Sequence, residues 1–319
     1  MSAPDDSPTS SGFRCATICQ RRAGRGAGWS SVRLRRISAL VVTYNPDIQR
    51  FSKVLSAASM ASDSVIIIDN NSVNFEEIRK AGFDLFRSGK LEYLNLERNY
   101  GIGAALNAGI KKCLSKEEPD FVLTLDQDSI IQISRDEMQN YLNQGISLLG
   151  NRFGALSLSH TGLPQSPGDL IPINYGIISG MVVETGLFKE GLRYREEFFL
   201  DQVDLDFSFE IIRKGKEIIS TKAKELDHEL GTTVNRFGRN ISVESDWRLY
   251  LLIRNSTILL REGKINTKFY LYQAFRQIGQ RLLALKIRDN AKLPMVAVKG
   301  LHDGIFKDFE DNFKFDPGP

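Results

Sequence analysis

Three groups of residues in this sequence could do chemistry together. Asp126 and Asp128 stand one residue apart, directly after the apolar run FVLTL (121–125). Two carboxylates at the end of a buried strand are costly unless something pairs with them. A hard divalent cation, Mg2+ or Mn2+, would do so, because it takes oxygen ligands and bridges to phosphate oxygens. Asp201, Asp204 and Asp206 form a second group, set among Phe198, Phe199, Leu200 and Phe207. A carboxylate there, apart from the metal pair, could take the proton of an attacking hydroxyl. The third group is an edge of polar residues: Thr43, Tyr44 and Asn45 after one apolar run, Asp69, Asn70 and Asn71 after another. Each group has a plainer reading. Asp126–Asp128 could be a turn that caps a helix, and Asp201–Asp206 could be charges favoured at a helix N-terminus. Capping does not explain why polar groups follow several apolar runs in turn.

The elements that must position them follow from hydrophobic pattern. ISALVVTYN (37–45), SVIIIDNNS (64–72), LEYLNLE (91–97) and FVLTLDQDS (121–129) read as buried strands. Helices fall between them. One spans about 47–60, with Phe51, Val54, Leu55 and Ala58 on one face. Another carries Ile102, Leu106, Ile110 and Cys113 at helical spacing. Strands alternating with helices predict an α/β fold with a mostly parallel central sheet flanked by helices. Ligands in such sheets bind outside the carboxyl ends of the strands, where the polar groups recur. Further strands are expected at 153–160, 176–184 and 216–221. The segment 197–215 starts as a loop and becomes a helix, and from Ser245 onward the chain reads mainly helical.

The stretch NYGIGAALNAG (99–109) could bring glycine backbone and a helix N-terminus to an anion. It lacks the third glycine of a dinucleotide fingerprint and no Walker lysine follows, so a Rossmann or P-loop site is a poor fit. A glycine-containing helix start is the plain alternative.

Composition narrows the class. Hydrophobic content of 42% and charged content of 25% are globular values. A formal charge of +3 gives no case for nucleic acid as a partner. Residues 1–36 carry a net +5, so the rest carries −2. That segment is rich in Ser, Gly and Ala without apolar periodicity and is expected to be a disordered basic tail. It has no apolar region of a secretory signal, and Asp5 and Asp6 speak against a mitochondrial transit peptide. Cys15, Cys19 and Cys113 make no disulfide framework or metal spacing, which fits a reducing cytoplasmic setting.

The segments VVTYNP, IIIDNNS, ERNYGIGAALNAG and LTLDQDS, followed by NYGIISGMVVE, FFLDQVDLDFSFEIIRKG, HELG and YLLIRNSTIL, resemble in order and spacing the inverting nucleotide-sugar glycosyltransferases of family 2. Within these the sequence looks most like the bacterial rhamnosyltransferases of O-antigen and polysaccharide biosynthesis. The resemblance covers about 37–265. It implies a GT-A domain over 37–265 and a helical C-terminal extension over 266–319. It also implies a divalent cation, a dTDP-rhamnose donor, and a saccharide or lipid-linked saccharide acceptor.

Residue roles carried by the resemblance are as follows. Thr43 and Asp69 would contact the base and ribose of the donor, with Asn45 also binding the nucleotide-sugar and Asn99 and Gly101 near the nucleotide. Asp126, Asp128 and His228 would hold the metal and its diphosphate. Asp204 aligns with the general base, although Val203 stands where the family commonly has Glu, which leaves Asp201 and Asp206 as alternatives. Ser179, Gly180 and Asp201 would line the acceptor side. Arg254 could bind the diphosphate or pair with the acidic cluster. Trp247 and Tyr250 read as helix packing, and His160 and His302 as surface or structural residues.

The helix expected at about 268–288 mixes Lys268, Arg276, Arg281, Lys286 and Arg288 with Phe269, Phe275, Ile278, Leu282 and Leu285. It could lie on the cytosolic face of the inner membrane or pack its apolar side and solvate its basic one. Two other functions compete: a family 2 transferase with a different donor such as a UDP-hexose, and a nucleotide-binding module without catalysis. Intact Asp126, Asp128 and Asp204 speak against the second. A nucleotidyltransferase would need a glycine-rich loop with a basic residue after the first strand, which VVTYNPDIQ lacks.

Overall fold

The apolar runs fold as strands because alternate residues bury against helices on opposite faces of one sheet. In the computed structural model, residues 34–116, 118–161, 169–228, 233–236, 239–242, 245–284 and 290–306 are described. The elements run in this order: β1 (Ile37–Thr43), α1 (Ile48–Ala61), β2 (Ser64–Asp69), α2 (Phe75–Ala81), α3 (Phe83–Arg87), β3 (Leu91–Asn95), α4 (Ile102–Lys116), β4 (Phe121–Asp126), β5 (Ile130–Ile131) and α5 (Arg135–Leu149). Then come β6 (Phe153–Ser157), β7 (Leu170–Ile173), β8 (Met181–Glu184), α6 (Thr185–Lys189), α7 (Val203–Arg213), β9 (Glu217–Thr221), β10 (Leu226–Asp227), β11 (Thr233–Arg236), β12 (Arg239–Ser242), α8 (Asp246–Arg261), α9 (Thr267–Ala284) and α10 (Leu293–Phe306).

Eight strands form one sheet in the order β3-β2-β1-β4-β8-β6-β9-β7. The first four are parallel. β8 then pairs antiparallel with both β4 and β6, and β7 antiparallel with β9. Ile37, Ala39 and Val41 face Phe51, Val54 and Leu55 of α1, with Met138 and Leu142 of α5 in the same cluster. Leu40 and Val42 face the other way, onto Ala105, Leu106 and Ile110 of α4, in a cluster that includes Phe207 and Ile211 of α7. Each such buried aliphatic or aromatic side chain contributes roughly 1.5–3 kcal/mol. The register follows, because a one-residue slip of β1 would exchange the two faces.

Several expectations need correction. Only Met181–Glu184 of the segment 176–184 is strand; Gly176–Gly180 is loop, and Gly180 has φ +79°. Helix α5 was not anticipated, although Ser134 and Glu137 form a reciprocal capping box at its start. The hairpin β11–β12 and strand β7 were not anticipated either. The expected tail boundary at 36 is too late. Arg35 exchanges hydrogen bonds with the Gln139 amide, and the Arg36 N–H donates to Asp120. Residues 1–33 lie outside the described residues.

The C-terminal helices are joined to the domain through α8, whose Leu249, Tyr250 and Ile253 cluster with Leu293 and Val296 of α10. Among the described residues, no helix is long and apolar enough to cross a membrane. Arg281 does not belong to a solvated basic face: it is buried and paired with Asp246. Lys286 and Arg288 lie outside the described residues.

Candidate active site

The carboxyl ends of β1, β2 and β4 meet as the parallel register requires, with Thr43 beside Asp69 and Val42 beside Asp126. At the first of these ends the polar side chains satisfy one another. Thr43 donates its hydroxyl to Asp69 Oδ1 at 2.8 Å, the Ser72 hydroxyl donates to the same oxygen, and the Ser72 N–H donates to Oδ2. Thr43 and Asp69 are fully buried. Their side chains thus satisfy one another within the turn. Asn45 closes the same turn, accepting from the Val73 N–H while its own N–H donates to Ser72. Asn45 and Asn71 both have positive φ, a conformation that asparagine tolerates.

Two glycines of 99–109 answer to a close approach of protein. A Cβ on Gly101 would collide with the Phe199 backbone, and one on Gly103 would lie 2.7 Å from the Arg195 carbonyl. Gly101 has φ +87°, and its N–H is taken by Asn99 Oδ1. Asn70 reaches across to the Tyr100 N–H and the Gly101 carbonyl.

At the end of β4, Gln127 turns its amide onto both backbone groups of Tyr44. Its neighbours Asp126 and Asp128 converge with His228, which follows β10. One ligand atom from each of these three lies within 4.8 Å of the others. His228 Nδ1 is 2.8 Å from the Ser129 hydroxyl and 3.6 Å from Asp128 Oδ1. Two carboxylates and an imidazole within that span suit a hard divalent cation, which would offset their crowding. Arg50, near the start of α1, fixes the loop by donating to the Asp128 and Asp227 carbonyls at 2.8 and 2.9 Å. Sequence reading missed this residue; its position one turn into α1 gave no signal of it. His160, read as surface or structural, sets its ring edge to face against that of His228.

Ser179 and Gly180, expected on the acceptor side, hold the backbone at the end of β4. Ser179 is buried, and its hydroxyl oxygen accepts from the Asp126 N–H at 2.9 Å. The Gly180 N–H donates to the Thr124 carbonyl.

The second acidic group lies on the turn into α7. Asp204 is in the first turn of the helix, and its Oδ1 accepts from the Leu205 N–H. Burial pushes its pKa up to about 6, with nearby Asp201 adding to the rise. Asp126 is also pushed up to about 6, by burial first and then by Asp128, with Asp204 contributing and His228 and Arg248 opposing. Asp204 and Arg248 thus both contribute to the electrostatics at Asp126. Asp201 accepts from Arg248 at 2.9 Å, and burial raises its pKa against that cation. Asp206 points elsewhere: it is buried in an ion network with Lys264 and Arg195, and Arg195 also grips Glu262.

Arg254, expected at the diphosphate or the acidic cluster, turns its guanidinium onto the loop before α7. It is buried in α8 and donates to the Glu197 carbonyl at 2.5 Å and to Asn255 Oδ1. Trp247 and Tyr250 stack on one another, as expected of packing residues. A groove of about 1000 Å³ runs along α4 past Tyr100, Lys111, Arg193, Glu196 and Glu197, and none of Asp126, Asp128 or Asp204 lines it.

Residues 38–141 match the family model described as glycosyl transferase family 2. The chain is 27% identical over 253 residues to dTDP-rhamnosyl transferase RfbF of Shigella flexneri, covering 72% of this chain and 81% of that relative. It is 22% identical over 249 residues to low-salt glycan biosynthesis hexosyltransferase Agl10 of Haloferax volcanii, covering 69% and 76%. Among solved structures, S. aureus TarS matches with a TM-score of 0.54 at 17% identity over 85% of this chain. GalNAc-T7 with UDP, GalNAc and Mn2+ matches with a TM-score of 0.53 at 13% identity over 87%. The chain spans 48% and 55% of those two proteins. Their likeness carries the fold, and the architecture is GT-A.

Proposed function

We propose that this chain, a glycosyltransferase carrying a family 2 domain, moves L-rhamnose from dTDP-β-L-rhamnose to a hydroxyl of a glycan or lipid-linked saccharide with inversion. One observation carries the reading. Asp126, Asp128 and His228 form a cation-sized donor set, and a separate buried carboxylate, Asp204, stands in the first turn of α7. A single in-line displacement needs two such stations.

Asp126, Asp128 and His228 would hold Mg2+ or Mn2+. Such a cation, when bound, supplies positive charge where the nucleoside diphosphate departs. The turns built by Thr43, Asp69 and Asn45, and by Asn70, Asn99 and Gly101, shape the nucleotide side through their backbone. A sugar hydroxyl has a very high pKa and attacks poorly unless a base takes its proton as bonding begins. Asp204 is suited to that task, since a base with a pKa of about 6 is ionised at neutral pH yet more basic than an ordinary carboxylate.

The rhamnose donor is supported by the RfbF relative and by the resemblance in the loop with Val203 before Asp204. A lipid-linked acceptor at an anionic membrane face suits α9 and α10. They expose Leu271, Tyr272, Phe275, Met295, Val298 and Phe306. Neither helix carries an exposed acid: α9 has none and Asp303 of α10 is buried. A donor screen against lipid-linked acceptor tests the function. Consumption of dTDP-rhamnose, together with stronger thermal protection by dTDP than by UDP, supports it. Preference for a UDP-hexose would replace the donor, and no turnover of any nucleotide sugar would favour the non-catalytic module.

A further inference from the structure

Immediately before Asp204 the backbone passes through two strained conformations. Phe199 has φ +63° and ψ −57°, and the Leu200 N–H donates to the Phe198 carbonyl at 2.7 Å. This is the positive-φ γ-turn, which is rare and costly for a residue with a side chain. Three residues on, Gln202 is left-handed at φ +70° and ψ 3°. Such a path persists only where the surroundings over-determine it.

The surroundings here are two. On one side, the Ile102 N–H donates to the Phe199 carbonyl at 2.7 Å, and Gly101 leaves room for that carbonyl. On the other, consecutive residues of α8 grip three carbonyls of the loop. Arg254 donates to the Glu197 carbonyl at 2.5 Å. The Asn255 side-chain amide donates to the Phe198 carbonyl at 2.9 Å and to the Asp201 carbonyl at 2.6 Å. Asn255 is fully buried and Arg254 nearly so, so solvent does not compete for these bonds.

We infer that Arg254 and Asn255 are positioning residues for the transfer step: they clamp the strained Phe198–Gln202 turn from α8 and thereby fix where Asp204 meets the acceptor hydroxyl. The inference rests on the reading of Asp204 as base. Arg254 and Asn255 themselves touch neither the metal group nor the nucleotide side, where the turn stays held by the Ile102 N–H. The loss of the clamp is therefore expected in kcat and not in donor KM.

The test uses the full chain with donor and acceptor. Asn255→Asp keeps the shape and removes both N–H donors. It lowers kcat, by up to about a hundred-fold if Asp204 moves by an ångström, and leaves donor KM unchanged. Adding Gln202→Gly recovers part of the lost kcat, because glycine adopts positive φ without strain. A residue that only stabilised the fold would not give that recovery. Arg254→Lys keeps the charge with fewer donors, and shows a smaller fall in kcat with the same constant KM. It decides the matter alone if Asn255→Asp does not fold. Normal kcat in both variants, or a fall that Gln202→Gly deepens, overturns the clamp. Asp204→Asn, measured beside them, separates the two failures. If it remains active, the base reading has failed; if it is inactive while the clamp variants turn over normally, the clamp alone has failed.

Discussion

Arg248 donates to Asp201 Oδ1 at 2.9 Å, and the same guanidinium lowers the pKa of Asp126, Asp201 and Asp204 alike. One cation from the first turns of α8 thus offsets part of the electrostatic cost of carboxylates in both acidic groups. It was not among the residues singled out from the sequence, where Arg254 drew attention instead.

A pH profile reads this relationship. Transfer requires Asp204 to be ionised, so kcat/KM falls as pH drops through about 6. Arg248→Gln removes a charge that favours the ionised form. The acid limb then moves to higher pH, as followed by initial rates in excess metal. An acid limb at an ordinary carboxylate value, or one that moves down in the variant, contradicts the assignment.

The metal group gives a second prediction. Asp128→Ala abolishes divalent-dependent binding of nucleoside diphosphate, because the phosphate oxygens lose the cation that bridges them to the protein. Calorimetric titration of dTDP with and without Mn2+ measures it. Metal-dependent affinity that survives in the variant removes Asp128 from the site.

Stability without metal should depend on pH in a defined direction. Asp126 and Asp204 have folded pKa values raised to about 6, above the roughly 3.9 of an unfolded aspartate. Their stabilising contribution is therefore present below about 4 and is lost as pH rises through about 6. Thermal unfolding of metal-free protein should show this loss, Mn2+ should restore stability at neutral pH, and Asp126→Asn should raise the metal-free melting temperature there. A melting temperature indifferent to both metal and Asp126→Asn would show that the carboxylates do not repel one another.

Much of this was legible in the sequence because it depends on local pattern. The continuous apolar runs of β1, β2 and β4 and the helical spacing of Ile102, Leu106 and Ile110 each report burial directly. Asp126, Asp128 and His228 were legible as a set only through motif order, since 99 residues separate Ser129 from its partner His228. What escaped depends on which partner each polar group finds in space. Thr43 and Asp69 are polar at a strand end whether they face a ligand or one another. Ser179 could line a pocket or hold the Asp126 amide. Gly101 could admit a phosphate or, as it does, the Phe199 carbonyl. Arg254 and Arg248 lie on one helix, and only the fold decides that the first grips backbone and the second reaches the carboxylates. Helix α5 is different: its capping box, Ser134 and Glu137, is a local signal that the sequence itself carries.

The most direct test of the account is the substitution Asp204→Asn, with transfer rate and dTDP affinity measured on the same protein. The amide keeps the size of the side chain and cannot take the acceptor proton. The rate should fall by ~10²–10⁴-fold, while metal-dependent dTDP affinity stays unchanged because Asp204 belongs to neither the metal group nor the nucleotide side. Asp206→Asn should cost stability more than rate, since it breaks the buried pairing with Lys264 and Arg195. Near-normal turnover in Asp204→Asn, with Asp201→Asn or Asp206→Asn inactive instead, would contradict the account and move the base to that residue.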